Sequence, residues 1–103
     1  MSAFRYTVSA TFDQPAVAEE WIAWMTGGHL ADVRAGGALA AEVVRLDGEP
    51  LSCEARYVFA SRADFERYER EHAPRLRAEG LQRFPPERGV RNRRTTGECV
   101  ATA

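Results

Sequence analysis

Residues 4–25, FRYTVSATFDQPAVAEEWIAWM, change their hydrophobic period at one point, and that change decides the fold class. Apolar and polar residues alternate strictly over residues 4–12, which predicts a β-strand with one buried face. Beyond it, apolar residues recur three and four positions apart, which predicts an amphipathic helix. Asp13 can cap this helix and Pro15 suits its first turn. We expect the helix to end at Gly27-Gly28.

The middle of the chain predicts a hairpin and a second helix. Two extended runs within residues 39–60 flank Asp47-Gly48, a dipeptide that accepts the backbone angles of a tight hairpin turn. Residues 61–74 begin with a serine that has an acid three positions on, a loose capping box, and continue with apolar residues at helical spacing. Because Pro74 forbids an unbroken helix, we expect only a short, broken helical turn over residues 76–81.

The C-terminal part predicts a rigid linker at residues 84–89, FPPERG, and a last strand within residues 89–103. The order is therefore strand, helix, strand, strand, helix, strand, in a single domain over residues 1–103. With right-handed crossovers this order predicts an α+β, ferredoxin-like βαββαβ sandwich, in which two helices cover one face of an antiparallel four-stranded sheet. Such sheets can also pair face to face, so we expect a homodimer of the dimeric α+β-barrel type.

Composition excludes several partners and sites. A formal charge of −1 over 103 residues gives no field that would gather nucleic acid or a membrane surface. We interpret the arginine-rich residues 88–94 as a solvated strand face, because the strand aromatics are expected to point toward the helices. No apolar stretch is long enough to span a membrane, so we expect a cytoplasmic protein. Cys53 and Cys99 are isolated and predict free thiols, with neither a metal site nor a cofactor.

The candidate site residues come from an echo between the two helices. Trp21-x-x-Trp24 with His29 resembles Phe65-x-x-Tyr68 with His72. The aromatic residues are expected to be mostly core, and some of them to be walls of a pocket. Each histidine lies at a predicted helix end, where an imidazolium would meet the negative end of the helix dipole.

Alternatively, the two histidines lie together at the mouth of the space between helices and sheet, where one of them could serve as an acid or base. Acidic neighbours could orient an imidazole and basic neighbours could hold a carboxylate, namely Asp32, Glu71, Arg34, Arg75 and Arg77. The candidate catalytic residues are therefore His29 and His72. The candidate binding residues are Trp21, Trp24, Tyr57, Tyr68, Glu71 and Arg75.

Two stretches, EEWIAWM…HLADV and YVFASRADFERYEREHAPRLRAEGLQRF, together with the hairpin between them, resemble a small bacterial family of similar length that is known only as a domain of unknown function. The resemblance places His29 and residues 71–76, EHAPRL, at the family's most characteristic positions. Gly27-Gly28 and the arginine-rich end depart from the family pattern. The resemblance implies a ferredoxin-like, dimeric α+β-barrel protein and implies no activity.

Several functions stay open at this point. The first is binding of a small organic molecule between helices and sheet. The second is a cofactor-free monooxygenase or isomerase that uses His72 or His29. A third, of another class, is a dimeric protein-interaction module, which predicts an exposed apolar patch at Phe84 or on the last strand. A haem-binding protein with His72 as axial ligand is the most distant alternative.

Overall fold

The computed structural model describes residues 2–103. Its four strands are β1 Phe4–Phe12, β2 Ala40–Arg45, β3 Ser52–Phe59 and β4 Val90–Glu98. Its four α-helices are α1 Pro15–Trp24, α2 Leu30–Ala35, α3 Arg62–Glu71 and α4 Ala73–Arg83. A π-helical turn, Met25–His29, joins α1 to α2, and a short 3₁₀ turn, Pro86–Arg88, precedes β4.

The strands form one antiparallel sheet in the order β2-β3-β1-β4, with the helices packed on one face. This confirms the predicted ferredoxin-like βαββαβ arrangement. The two central strands are those that alternate most regularly in the sequence, and the strand aromatics do point to the helix side, where all are buried: Tyr6, Phe12, Tyr57 and Phe59. We call the opposite side of the sheet the open face.

The core is an aromatic layer between the central strands and α3. Tyr6 lies directly opposite Tyr57 in the antiparallel register, and their ring centroids are 5.6 Å apart. From α3, Phe65 packs on Tyr6 at 4.9 Å and Tyr68 packs on Phe59 at 5.3 Å. Because each large ring buries roughly 150 to 250 Å², these contacts account for much of the apolar burial that fixes α3 on the sheet.

The first helical region breaks at Gly28, as the sequence predicts, but a second helix, α2, follows directly and was not predicted. Gly28 adopts φ 158° and ψ −29°, a conformation that residues with a Cβ rarely adopt, and the helical chain then resumes as α2. Asp13, in contrast to the prediction, is not the N-cap of α1. Gln14 holds the N-cap position without a side-chain hydrogen bond, and the Asp13 carboxylate accepts a hydrogen bond from Arg91 at 3.0 Å.

The second helical region confirms the predicted cap and corrects the predicted extent. Ser61 Oγ accepts a hydrogen bond from the Asp64 amide at 3.2 Å. Pro74 does break the helix, but α4 runs for 11 residues rather than one turn. Proline is tolerated there because it lies in the first turn of the new helix, where an amide N–H has no partner within the helix.

The hairpin and the cysteines are as predicted, with one difference in loop length. The connection between β2 and β3 covers residues 46–51, so it is wider than a tight turn, and Gly48 adopts the positive φ of 90°. Both cysteines are free thiols; Cys53 is buried and Cys99 is half-buried. Desolvation by burial raises the pKa of Cys53.

A substitution at Gly36 can test the close packing between the end of α2 and α3. A Cβ at this position would lie 2.9 Å from Tyr68 Cδ1 and 3.1 Å from His72 Cγ, so Gly36→Ala should lower the free energy of unfolding by about 1 to 3 kcal/mol in urea denaturation. The matched control is Gly27→Ala, because nothing lies within 4 Å of its added methyl group and alanine is the better helix former. Equal stabilities of the two variants would contradict this packing.

Candidate functional site

A cavity of about 250 Å³ opens between the helices and the sheet. Its wall is mainly aromatic and aliphatic and comes from β1, β3, α1, the π-helical turn, α3, α4 and the residue after α4. These lining residues are Tyr6, Val8, Trp21, Trp24, Met25, Tyr57, Tyr68, Leu76, Leu81 and Phe84. The remaining lining residues are Gly80 and four polar ones, His29, Arg77, Asn92 and Arg94. A concave, mostly apolar cavity with a few convergent polar groups is the usual form of a small-molecule site.

The π-helical turn places His29 in the cavity wall. Its imidazole stacks on the Trp24 indole with ring centroids 4.2 Å apart, and its Nδ1 is buried without a hydrogen-bond partner. Burial lowers the pKa of His29, and the carboxylates of Asp32 and Glu79 only partly oppose that shift. Asp32 and Glu79 line a smaller polar cleft to which His29 also contributes. The imidazole is therefore neutral near pH 7.

Arg77 brings a second unpartnered nitrogen to the cavity from α4. Its terminal nitrogen donates to the Glu69 carboxylate, whereas its buried Nε has no partner. Burial by itself lowers the pKa of Arg77, but its interactions with Glu69, and to a smaller extent with Tyr6, outweigh that effect, so the guanidinium stays charged. Among residues 2–103, His29 Nδ1 and Arg77 Nε are the buried side-chain nitrogen or oxygen atoms without a partner, and both are carried by side chains that line this cavity.

Two tyrosines offer hydroxyl groups at the same cavity. The Tyr57 hydroxyl has the Met25 sulfur as its recorded partner, at 4.0 Å, which is a weak acceptor. Burial raises the pKa of Tyr57 and the pKa of Tyr68 well above the ordinary value, and neighbouring tyrosines add to both shifts. Both groups therefore stay protonated and can donate a hydrogen bond to a bound molecule.

The structure brings together five of the sequence-predicted site residues and separates three. Those that line the cavity are Trp21, Trp24, His29, Tyr57 and Tyr68. His72 does not line it: its ring lies beside the backbone of Gly36, with its centroid 6.3 Å from that of Tyr68. Glu71 and Arg75 are exposed on α3 and α4 and lie outside the cavity wall. The two histidines therefore do not share one mouth.

This separation bears on two of the alternatives. An axial role for His72 does not fit a ligand in this cavity, so the residues present do not fit haem. Phe84 is buried in the cavity wall, which corrects the expectation of an exposed apolar patch there. On β4 only Val90 is buried, and the residues that follow it are polar or glycine. Neither Phe84 nor β4 therefore forms the exposed apolar patch that a protein-interaction module predicts.

Asn92 and Arg94 are cavity residues that the sequence did not predict, because residues 88–94 were interpreted as one solvated strand face. The register pairs Ala10 with Asn92 and Val8 with Arg94, and paired residues of an antiparallel sheet share a face. Asn92 and Arg94 therefore point to the helix side and line the cavity. Strict alternation along the strand was the signal that could have separated them from Arg93.

Two absences complete the description of residues 2–103. No cluster of three or more histidine, cysteine, aspartate or glutamate side chains is placed to hold a metal ion within this range. Over the same residues, the helices are too short or too polar for any of them to cross a membrane.

Comparison with known proteins places the fold. A family model described as "Domain of unknown function (DUF4286)" matches residues 4–95. No curated protein matches the chain. A dimeric ferredoxin-like protein from an uncultured marine organism has 15% sequence identity and a TM-score of 0.77, and all of both chains is covered.

Two similar structures belong to enzymes. One is a monooxygenase from Streptomyces coelicolor in complex with the ligand Nanaomycin D, with 16% identity, a TM-score of 0.75, and 99% of this chain and 91% of that chain covered. The other is SnoaB, a cofactor-independent oxygenase from Streptomyces nogalater, with 15% identity, a TM-score of 0.67, and 99% and 97% covered. Likeness at this identity shows the shared fold alone.

The depressed pKa of His29 predicts how stability depends on pH. Below pH ~6.5 the unfolded chain binds a proton at this imidazole while the folded chain does not, so the free energy of unfolding should fall as the pH drops from ~6.5 through the folded pKa. Urea denaturation across this range should show a shallower dependence for His29→Gln, which has no titrating ring.

A direct measurement of the same pKa is the NMR titration of the imidazole signals. The His29 midpoint should lie below 6.5, and Asp32→Asn should lower it further, because that carboxylate raises it. A His29 midpoint at or above 6.5 would show that the ring is solvated, and the cavity as described here would be wrong.

Proposed function

Because the chain belongs to the family described as "Domain of unknown function (DUF4286)", which assigns no activity, we propose a function from the cavity: the protein is a homodimer that binds a small aromatic molecule between its helices and its sheet. The single observation that carries this proposal is that two side chains with a buried nitrogen that has no partner, His29 and Arg77, line the same largely aromatic cavity.

The cost of burying polar atoms without partners favours ligand binding. A buried donor or acceptor without a partner costs roughly 1 to 3 kcal/mol, more for a charged group. Two such atoms at one site would be costly if they served no purpose, and a molecule that supplies their partners recovers this energy on binding. The flat faces of Trp24, Tyr57 and Tyr68 suit a planar ring system.

A solved structure of the same fold supports small-molecule binding. The Streptomyces coelicolor monooxygenase is described in complex with the ligand Nanaomycin D, which makes small-molecule binding a documented use of the fold. The residues that would contact a ligand in this chain are its own, since fold similarity does not carry function.

The open face supports the homodimer part of the proposal, and a similar structure is described as dimeric. Its charged side chains are partly paired within the face: Arg56 donates to Glu54 at 2.9 Å, and Ser9 donates to the same carboxylate at 3.3 Å. Covering such groups costs less than covering unpaired ones. Arg5 and Arg93 lie on the β1–β4 half and Glu42 on the β2 edge, so a twofold axis between two open faces would bring opposite charges together.

A second candidate function, cofactor-free oxygenation or isomerisation, is favoured by the state of His29. A neutral imidazole with a free nitrogen in the wall of an apolar cavity can accept a proton from an acidic O–H or C–H group of a bound aromatic molecule. The polar cleft to which His29 also contributes offers Asp32 and Glu79 to stabilise the resulting imidazolium. His72 has no place in this proposal.

Ligand binding is tested by narrowing the cavity from its exposed side. Asn92→Trp places a bulky ring where a small lining residue stands, and it should weaken the binding of 1-naphthol in calorimetry by about tenfold or more. The control is Thr96→Trp, which adds the same ring on the same face of β4 at an exposed position outside the cavity wall. Equal affinities for the two variants, or none for the unmodified protein, would count against the proposal.

The dimer is tested by the molar mass in light scattering, which should be twice that of the chain. Val58→Glu puts a carboxylate on the open face opposite Arg5, where it can be accommodated in a monomer but is costly in a covered interface. We expect the dissociation constant of the Val58→Glu dimer to rise by at least about tenfold, which would shift the measured mass toward that of the monomer. Leu39→Glu, at an exposed residue that precedes β2, is the control and should keep the dimer. A monomer mass for the unmodified protein would refute this arrangement.

A further inference from the structure

We propose that the molecule bound in the cavity is an aromatic carboxylate, whose anionic group is held by Arg77 and Arg94. This inference rests on the proposed function, because it needs a ligand in the cavity, and it goes further by naming the ligand's charge and chemical class. The aromatic character of the cavity wall does not account for the presence of the two arginines in it, whereas an anionic ligand does.

The charges of the cavity wall are all of one sign. Arg77 and Arg94 line the cavity, and no aspartate or glutamate among residues 2–103 does so. His29 is neutral near pH 7 because burial depresses its pKa. The acids nearest to it, Asp32 and Glu79, lie in the separate polar cleft. An anion entering the cavity therefore meets two guanidinium charges and no carboxylate in its lining.

The two guanidinium groups act at one end of the cavity. Arg77 comes from α4 above the sheet, and Arg94 comes from β4, directly opposite Val8 of β1. Burial raises the pKa of Tyr68, and Tyr6 and Glu69 add to that rise, whereas the charges of Arg77 and Arg94 both oppose it. The two arginines and the protonated tyrosine thus offer donors to one region, and such a group of donors matches the oxygens of a carboxylate.

Arg77 is already fixed in place for this role. Its terminal nitrogen is bound to Glu69, which restricts the rotamer of a long side chain, and its buried Nε remains without an acceptor. Glu69 neutralises part of the charge but leaves that N–H unsatisfied. A carboxylate is the strongest acceptor for the guanidinium group, and the bond would be charge-assisted on both sides.

The other classes of aromatic ligand fit less well. A cationic amine would be repelled by both arginines in a site where water is partly excluded and charges interact strongly. A neutral aromatic would fill the apolar volume and leave Arg77 Nε without a strong partner. An aliphatic acid would satisfy the arginines and gain little from the faces of Trp24 and Tyr57.

The test compares 2-naphthoate with 2-naphthamide, which have the same ring system and nearly the same shape but differ in charge. In calorimetry at low salt, the unmodified protein should bind the carboxylate at least about tenfold more tightly than the amide. Arg94→Gln and Arg77→Gln should each lower the affinity for 2-naphthoate by about tenfold. The affinity for 2-naphthamide should stay nearly unchanged. Arg83→Gln removes the same charge from an exposed position at the end of α4 and should change neither affinity.

The outcomes separate this inference from the proposed function. Equal affinity for the two compounds, or equal losses in Arg94→Gln and Arg83→Gln, would overturn the anionic class while leaving aromatic binding intact. Binding of neither compound would overturn both. If Arg77→Gln proves unfolded by circular dichroism, Arg94→Gln still decides the result, because Arg94 is exposed on an edge strand and its replacement should leave the fold intact.

Discussion

The aromatic packing of Tyr6, Tyr57, Phe65 and Tyr68 is the interaction on which both the fold and the cavity depend. These rings pack α3 onto the two central strands. The packing does not extend across β4, whose helix-facing residues after Val90 are polar. The space beside the cluster is therefore bounded by aromatic faces on one side and by Asn92 and Arg94 on the other. One arrangement thus produces a stable core and an unfilled, chemically mixed volume next to it.

The sequence predicts the fold well and the site only in part. Strict alternation in β1 and β3 fixes which side chains face the helices, because a strand has a period of two and one face is buried. Helix ends were harder to predict, since Gly28 and Pro74 each interrupt a helical segment that continues beyond them. Their effect depends on the packing of the next segment, which the local sequence does not encode.

The limits at the site have the same origin. His29 and the aromatic wall were found because they stand on the predicted faces of predicted elements. Each histidine does stack on an aromatic residue of its own helical region, yet only His29 lines the cavity, and His72 lies beside Gly36. Arg94 escaped because its direction depends on the register of β4 against β1.

The contrast between the two ends of the cavity follows from solvation. His29 is held largely out of water, so its neutral form is favoured, whereas Arg77 is half-buried beside a carboxylate partner and keeps its charge. A site that presents a neutral base and fixed cations can bind an anion without protonating its own base. Because ligand binding would displace water from the cavity, the charges of the two arginines would act more strongly on the ligand as the site fills. Binding and proton transfer would then depend on the same exclusion of water, which makes the aromatic wall part of the site's electrostatics.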